Sequence, residues 1–242
     1  MDSAKYIYVS AMRHLRRLLA TLRLLGYLDR NLEKRWVLYL RSLLAIYDFE
    51  DLARLGVTWW TFSAINEVEK FLNDREATVR VFEYGPGAST IWLARHACSV
   101  TYVEHDEAFA TKMNQAVQDQ TNITGRLVEP IHRAPGEQIQ CPSGIKGFER
   151  YDFVNYVEAI RDTGGPFDLI VIDGRARVAC LAEAVQHLRP TGMIVFDDSN
   201  RARYSVGLSN QSLILRRFRG LGPTIPYFEE TSLLDYADVE ES

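Results

Sequence analysis

Acidic residues stand at the ends of four short apolar runs in this sequence: Glu83, Glu104 with Asp106, Asp173, and Asp197 with Asp198. Carboxylates attract cationic ligands, accept hydrogen bonds from hydroxyl groups and bind hard cations such as Mg²⁺. If the apolar runs are parallel strands, their carboxyl ends meet at one edge of a sheet, which is where open α/β sheets bind ligands. The spacing therefore predicts a ligand site lined by acidic side chains along one rim of a parallel sheet.

A glycine-rich turn follows the first of these runs. Gly85 and Gly87 can take left-handed backbone angles and leave room for a ligand against the main chain. Backbone N–H groups at the start of the next helix, near Ser89 and Thr90, can meet polar ligand atoms. The turn lacks the third glycine of the dinucleotide pattern G-x-G-x-x-G. Glu83, directly before the turn, favours a positively charged ligand over a pyrophosphate.

The elements that must position these residues alternate between strands and helices from residue 79 onward. The predicted strands are 79–84, 99–104, 126–129, 167–172 and 193–196. The predicted helices are 89–97, 107–118, 152–160 and 176–188. This alternation predicts a doubly wound, mostly parallel α/β sheet with right-handed crossovers.

Two segments interrupt the alternation. The connection 130–150 contains several Pro and Gly residues and is longer than most connections, which predicts a substrate-side loop or lid. The segment 220–234 is punctuated by Gly222 and Pro223, and it predicts a hairpin at the edge of the sheet.

Residues 1–72 predict a helical N-terminal extension that precedes a catalytic domain at 73–242. Helices are predicted at 12–25, 32–47 and 61–72. The first of them has leucines on one face and arginines on the other, and residues 1–41 carry nine Lys or Arg against three acidic residues. A basic amphipathic helix suits peripheral contact with an anionic membrane. Packing on the domain, or in a homodimer, is the other interpretation.

The composition narrows the class of protein. The chain has 242 residues and a net charge of −4, and its three cysteines are widely spaced without metal-ligand spacing, which indicates a reducing cytoplasm. No apolar run approaches membrane-spanning length, and the N-terminus lacks the pattern of a signal peptide. Because the basic residues cluster far in sequence from the acidic motifs, no nucleic-acid partner is expected.

The order and spacing of the motifs over residues 76–200 resemble the class I S-adenosylmethionine-dependent methyltransferases. Segment 81–87 resembles their acid–x–Gly–x–Gly turn around the methionine part of the cofactor, and segment 102–106 resembles their ribose-binding second strand. Segments 167–174 and 188–198 resemble their fourth motif and their fifth strand. The resemblance implies a Rossmann-like fold, S-adenosylmethionine as the cofactor and methyl transfer as the reaction.

The resemblance also implies roles for individual residues. The expected cofactor-binding residues are Glu83, Gly85, Gly87, Ser89, Thr90, Glu104, His105 and Asp173. The expected catalytic residues are Asp173, Asp197 and Arg175. The Asp-Gly-Arg-Ala-Arg segment 173–177 resembles that of one subgroup of the family, and it does not identify a substrate.

Three roles stay open for Asp173: a general base, a metal ligand, or an anchor for the methionine end of the cofactor. As a helix cap it would do no chemistry. Asp173 and Asp197 resemble two ligands of the metal-dependent O-methyltransferases of the catechol type, which leaves Mg²⁺ as a further cofactor to test. Asp198 stands where those enzymes have Asn, and no lysine lies just beyond Asp173. Arg175 and Arg177 suit either an anionic group on the acceptor or ion pairs within the site.

The function expected from these observations is methylation of a small molecule or biosynthetic intermediate at oxygen. Trp59 and Trp60 precede the helix at 61–72 and suit either an aromatic wall of the site or packing on the sheet. A nicotinamide-dependent oxidoreductase is an alternative, disfavoured by the incomplete glycine pattern and by Glu83. A non-catalytic binding or membrane-associated module on the same fold is another.

Overall fold

A computed structural model describes residues 3–46, 48–75, 78–209 and 212–237. Its helices are α1 (Ser3–Thr21), α2 (Leu24–Asp29), α3 (Arg35–Leu43), α4 (Phe49–Leu55), α5 (Phe62–Asn73), α6 (Ala88–Ala94), α7 (Glu107–Ala116), α8 (Val154–Glu158), α9 (Arg177–Ala184) and α10 (Ser205–Ser209). Its strands are β1 (Arg80–Tyr84), β2 (Ser99–Glu104), β3 (Ile123–Leu127), β4 (Ile131–His132), β5 (Tyr151–Asp152), β6 (Phe167–Ile172), β7 (Leu188–Phe196), β8 (Ile214–Leu221) and β9 (Phe228–Asp235).

Seven strands form one sheet in the order β3-β2-β1-β6-β7-β9-β8. Strands β1, β2, β3, β6 and β7 are mutually parallel, and β9 runs antiparallel to both of its neighbours. This arrangement confirms the mostly parallel, doubly wound α/β fold expected from the sequence. The predicted hairpin at 220–234 corresponds to β8 and β9, although β8 begins earlier, at Ile214.

All five predicted parallel strands are present, and two begin earlier than predicted. β3 begins at Ile123 rather than residue 126, and β7 begins at Leu188 rather than residue 193. The early part of β7 contains Pro190 and Gly192, both poor strand formers, and the chain around Pro190 is exposed. Hydrophobic periodicity is therefore weak where pairing with β6 begins.

The sheet buries both faces, as the continuous apolar runs predict. In β6, Ile170 and Ile172 pack on the side of α8 and α9, whereas Leu169 and Val171 pack on the side of α5 and α6. Successive residues of a strand point to opposite faces, so one strand supplies two cores. The two layers fix β6 laterally and place its carboxyl end, at Asp173, on the rim.

The N-terminal helices share the core of the sheet rather than standing apart. Helix α5 buries Ala64, Val68 and Leu72 against Val81 of β1. The core therefore crosses the predicted boundary between residues 72 and 73. The predicted helix at 12–25 is interrupted at Arg23, whose φ is 60°, and α4 is absent from the sequence prediction because it is short.

A buried ion cluster ties these helices together. The guanidinium group of Arg41, which is fully buried, donates to both carboxylate oxygens of Asp51 at 2.8 Å and to Asp29 at 2.8 Å. The predicted end of the second helix, at Tyr47, lies outside the described residues. Among the residues that are described, no helix has both the length and the apolar character needed to cross a membrane.

Candidate active site

A cavity of about 1010 Å³ runs along the carboxyl ends of β1, β2, β6 and β7. Six of the residues expected to do chemistry line it: Gly85, Glu104, His105, Asp173, Arg175 and Asp197. The fold thus brings together residues separated by more than a hundred positions, because parallel strands all end at the same rim.

The two glycines of the turn are required by neighbouring protein atoms. Gly85 has a φ of +83°, and a Cβ atom there would lie 2.6 Å from the Cα atom of Gly174. A Cβ atom on Gly87 would lie 2.9 Å from the Trp59 ring. From the sequence, both glycines are expected to make room for a ligand against the main chain. The structure shows that close packing of the β1 and β6 loops, and of Trp59, already demands them.

Glu83 lies beneath the cavity and not on its wall. It is fully buried, and its carboxylate oxygens accept hydrogen bonds from the hydroxyl groups of Ser89 and Thr90, the latter at 2.5 Å. Gly87, Ser89 and Thr90 likewise do not line the cavity. The hydroxyl donors of α6 occupy the carboxyl group of Glu83 in this structure, and the expected contact of Glu83 with a cationic ligand stays a prediction.

Burial raises the pKa of Glu83 to about 8, although the two hydroxyl hydrogen bonds act in the opposite direction; the nearby Asp173 charge adds to the increase. Its folded pKa is thus above the unfolded value of 4.5. Between those two values the folded state binds more protons than the unfolded state, so the free energy of unfolding falls as pH rises.

The Glu83→Gln variant is expected to lose this pH dependence. Its free energy of unfolding, relative to the wild type, should increase between about pH 5 and pH 8, by no more than about 1.4 kcal/mol per pH unit. Urea unfolding across that range measures the difference. Glu107→Gln, on the exposed first turn of α7, is the matched control. Parallel pH curves for wild type and Glu83→Gln would contradict the prediction.

Glu104 lines the cavity and has one carboxylate oxygen without a hydrogen-bond donor among the described residues. Its Oε1 atom accepts the backbone N–H groups of His105 at 2.7 Å and Asp106 at 2.8 Å. No donor among the described residues hydrogen-bonds to Oε2. A buried acceptor needs a partner, and Glu104 lies on the cavity wall. Oε2 is therefore available to a ligand hydroxyl group.

Three carboxylates meet at the ends of β6 and β7. One oxygen each of Asp173, Asp197 and Asp198 lies within 4.8 Å of the others. Burial raises the pKa of Asp173 to about 6 against the opposing charge of Arg177. Burial, with Asp173 and Asp198 beside it, also raises the pKa of Asp197 well above its usual range. Like charges at such distances favour a bound proton or a bound cation.

The two arginines of the segment 173–177 have different surroundings. Arg177 is buried and donates to the backbone carbonyls of Asp173, Gly174 and Asp197, and to the Asp173 carboxylate at 2.7 Å. It therefore joins the ends of β6 and β7 and is not free to bind a substrate anion. Arg175 lines the cavity over the Phe148 ring, and its Nε atom has no hydrogen-bond partner among the described residues.

Parts of the cavity wall are formed by residues that belong to no catalytic or binding motif in the sequence. Trp59 lines it, whereas Trp60 is buried against Trp92, with ring centroids 6.0 Å apart. Phe148 extends from the long connection predicted as a substrate-side loop. The turn between β8 and β9 contributes further lining residues, Thr224, Ile225 and Tyr227. Only its Gly-Pro pair marked this turn in the sequence, and nothing local placed it over the site.

Comparison with known proteins agrees with this geometry. Residues 82–199 match the family model described as a methyltransferase domain, which includes the glycine turn, Glu104 and the three aspartates. No curated protein gives a match.

Two solved structures show the same fold. Cofactor-bound Rv0187 from MTB is 21% identical, with a TM-score of 0.52 over 80% of this chain and 88% of its own. An rRNA methylase from Streptococcus thermophilus is 13% identical, with a TM-score of 0.50 over 72% of this chain and 96% of its own. Since residues 82–199 match a methyltransferase domain, the chain is an S-adenosylmethionine-dependent methyltransferase, and S-adenosylmethionine is its cofactor.

Proposed function

We propose that this methyltransferase transfers the methyl group to an oxygen atom of a small molecule or biosynthetic intermediate. The observation that carries the proposal is the cluster of Asp173, Asp197 and Asp198 on the cavity wall, within 4.8 Å of one another. A hydroxyl acceptor must lose its proton, and a carboxylate with a raised pKa is suited to accept it.

The size and charge of the cavity support a small acceptor. Its volume of about 1010 Å³ lies at the upper end of the range for ligand pockets, which leaves room for the cofactor and a second small molecule. Six acidic and three basic side chains line it, counting Lys and Arg as basic. A surplus of carboxylates repels a phosphate backbone, so a nucleic-acid substrate is disfavoured.

In this proposal the cofactor extends from Glu104 to Asp173. Oε2 of Glu104 accepts hydrogen bonds from the ribose hydroxyl groups, with His105 beside them. Gly85 and Asp173 would hold the methionine end. The cofactor would supply its methyl group on the side of the three aspartates, to an acceptor oxygen held there for in-line attack.

Asp173 acts as the general base. Its pKa of about 6 makes it ionised at neutral pH while keeping it basic enough to take a hydroxyl proton. The acceptor oxygen forms a bond to the methyl carbon as the carbon–sulfur bond breaks. The bonding electrons remain on sulfur, giving S-adenosylhomocysteine, and the proton passes to Asp173. Arg177 holds the Asp173 carboxylate in place through its 2.7 Å ion pair.

Mg²⁺ is the second candidate for activating the acceptor. Three carboxylate oxygens at this spacing are the hard donors that Mg²⁺ prefers, and a bound ion would polarise the acceptor oxygen as a Lewis acid. The arginine partners argue against it, because Arg177 and Arg201 already pair with Asp173 and Asp198, at 2.7 and 2.5 Å.

The test follows transfer of labelled methyl from S-adenosylmethionine to a panel of hydroxylated small molecules and, separately, to total RNA. We expect label in the small-molecule fraction, with kcat/KM rising as pH increases through about 6 and Asp173 loses its proton. Asp173→Asn should abolish transfer at every pH, whereas the exposed Asp162→Asn should not change it. Label in RNA alone would overturn the proposal.

The metal is tested on the same reaction. Loss of transfer in EDTA, restored by Mg²⁺ and abolished in Asp197→Asn, would assign the aspartates to a metal ion. Transfer that persists in EDTA leaves Asp173 as the base acting alone.

A further inference from the structure

Exposed apolar side chains are concentrated in the N-terminal helices. Of fourteen large hydrophobic side chains exposed among the described residues, eight lie between residues 7 and 40. Five of these eight side chains are at least half exposed: Ile7, Leu18, Leu22, Tyr27 and Trp36. Scattered exposed leucines are common on protein surfaces, whereas a concentration of this kind marks an interaction surface.

On α1 these side chains form one stripe. Ile7, Ala11, Leu15 and Leu18 follow one another at spacings of four, four and three residues, and all are exposed. Such spacing places them on one side of a helix. Leu22, 57% exposed, continues the sequence beyond the end of α1.

The inward side of α1 is already occupied. Val9 is buried, and Arg16 forms ion pairs with Asp48 at 2.8 Å and Asp51 at 3.0 Å. These contacts fix the rotation of α1, so the exposed stripe is not a face that failed to pack against the domain.

Basic residues accompany the stripe. Six exposed basic side chains between positions 7 and 40 have no acidic partner among the described residues: Arg13, Arg17, Arg23, Arg30, Lys34 and Arg35. The one exposed acidic residue between positions 7 and 40 is Glu33. The surface therefore combines apolar side chains with an uncompensated positive charge.

This combination selects among three kinds of partner. A second copy docked through the same surface would bring arginines against arginines, because a two-fold interface pairs each patch with itself. A nucleic acid would neutralise the arginines but would leave the leucines without an apolar partner. An anionic lipid surface satisfies both, because acyl chains take up the leucines and headgroups the arginines.

We propose that the surface formed by α1 and the adjoining segment through Lys34 docks the protein peripherally on an anionic membrane. The stripe Ile7–Leu22 enters the interface, and the arginines contact the headgroups. Docking of this kind needs no helix that spans the bilayer. It is independent of the identity of the methyl acceptor.

Flotation of the full chain with vesicles tests the proposal. We expect binding to vesicles containing phosphatidylglycerol to exceed binding to pure phosphatidylcholine at least about tenfold, and to fall at high salt. Arg13→Glu with Arg17→Glu, and separately Leu15→Ser with Leu18→Ser, should each weaken binding about tenfold.

The matched control is Val206→Ser, which removes an apolar side chain that is 77% exposed outside this surface. Each variant should bind S-adenosylhomocysteine as the wild type does, which shows that it is folded. Equal binding to neutral and anionic vesicles, or no binding, would overturn the proposal. So would a dimer in solution that the leucine substitutions dissociate, or RNA binding that they leave unchanged.

Discussion

The Glu104→Ala variant is expected to bind S-adenosylhomocysteine about 100-fold more weakly than the wild type, because a hydrogen bond to a charged group contributes about 1.5–3 kcal/mol and about 1.4 kcal/mol is a factor of ten. Glu104 lines the cavity, and its Oε2 atom has no hydrogen-bond donor among the described residues, so we assign this oxygen to the ribose. Calorimetric titration with S-adenosylmethionine and S-adenosylhomocysteine measures the change.

Glu104→Gln separates the two functions of this side chain. A glutamine keeps an oxygen that can accept from the N–H groups of His105 and Asp106, as Oε1 does at 2.7 and 2.8 Å, but it loses the charge. Its affinity should fall less than that of Glu104→Ala, with no loss of thermal stability. Glu107→Gln, three residues along the chain and exposed, should bind normally. Dissociation constants unchanged within about twofold in Glu104→Ala would remove the ribose assignment.

The Gly174→Ala variant is expected to lose about 3 kcal/mol of stability, the upper end of the range for overpacking, together with methyl transfer. A Cβ atom at this position would lie 2.0 Å from the Tyr156 hydroxyl oxygen and 3.1 Å from the backbone nitrogen of Gly85. To avoid the Tyr156 hydroxyl group, the backbone directly after Asp173 must shift. This shift displaces Asp173, the proposed base. Chemical unfolding and methyl transfer report the two effects.

A second substitution should rescue this variant. The Tyr156 hydroxyl group is buried and meets the backbone of Arg175 without forming a well-aligned hydrogen bond, so Tyr156→Phe alone should cost little stability. In the double variant the 2.0 Å contact is gone, while contacts of 3.1 Å to the ring carbon Cζ of residue 156 and to the Gly85 backbone nitrogen remain, so part of the stability should return. The coupling energy between the two sites is the readout.

Gly85→Ala is the contrasting case. The added Cβ atom would lie 2.6 Å from the backbone of Gly174, and the φ of +83° disfavours any other residue. Tyr156→Phe should therefore give it no rescue. Strictly additive effects of Gly174→Ala and Tyr156→Phe would show that the loop relaxes by another route.

The fold class followed from the sequence because strands buried on both faces require continuous apolar runs. β1, β2 and β6 occur close to their predicted positions, and their terminal carboxylates were placed on one rim. These strands are neighbours in the sheet and run parallel. Their carboxyl ends therefore meet at the same rim even when a predicted strand end is wrong by a few residues. Short or exposed elements were not predicted, among them α4 and the start of β7, because their local sequence patterns resemble those of loops.

The sequence by itself determined the rim and its acidic residues, and its motifs indicated a methyltransferase. Only the tertiary structure decided which side chains face the cavity. Glu83 turns inward to the hydroxyl groups of α6, and Arg177 turns inward to three backbone carbonyls, whereas Glu104 and Arg175 remain on the wall. The physical reason is that a buried polar group points toward its hydrogen-bond partners, and those partners come from turns and helices that only the folded chain brings within reach.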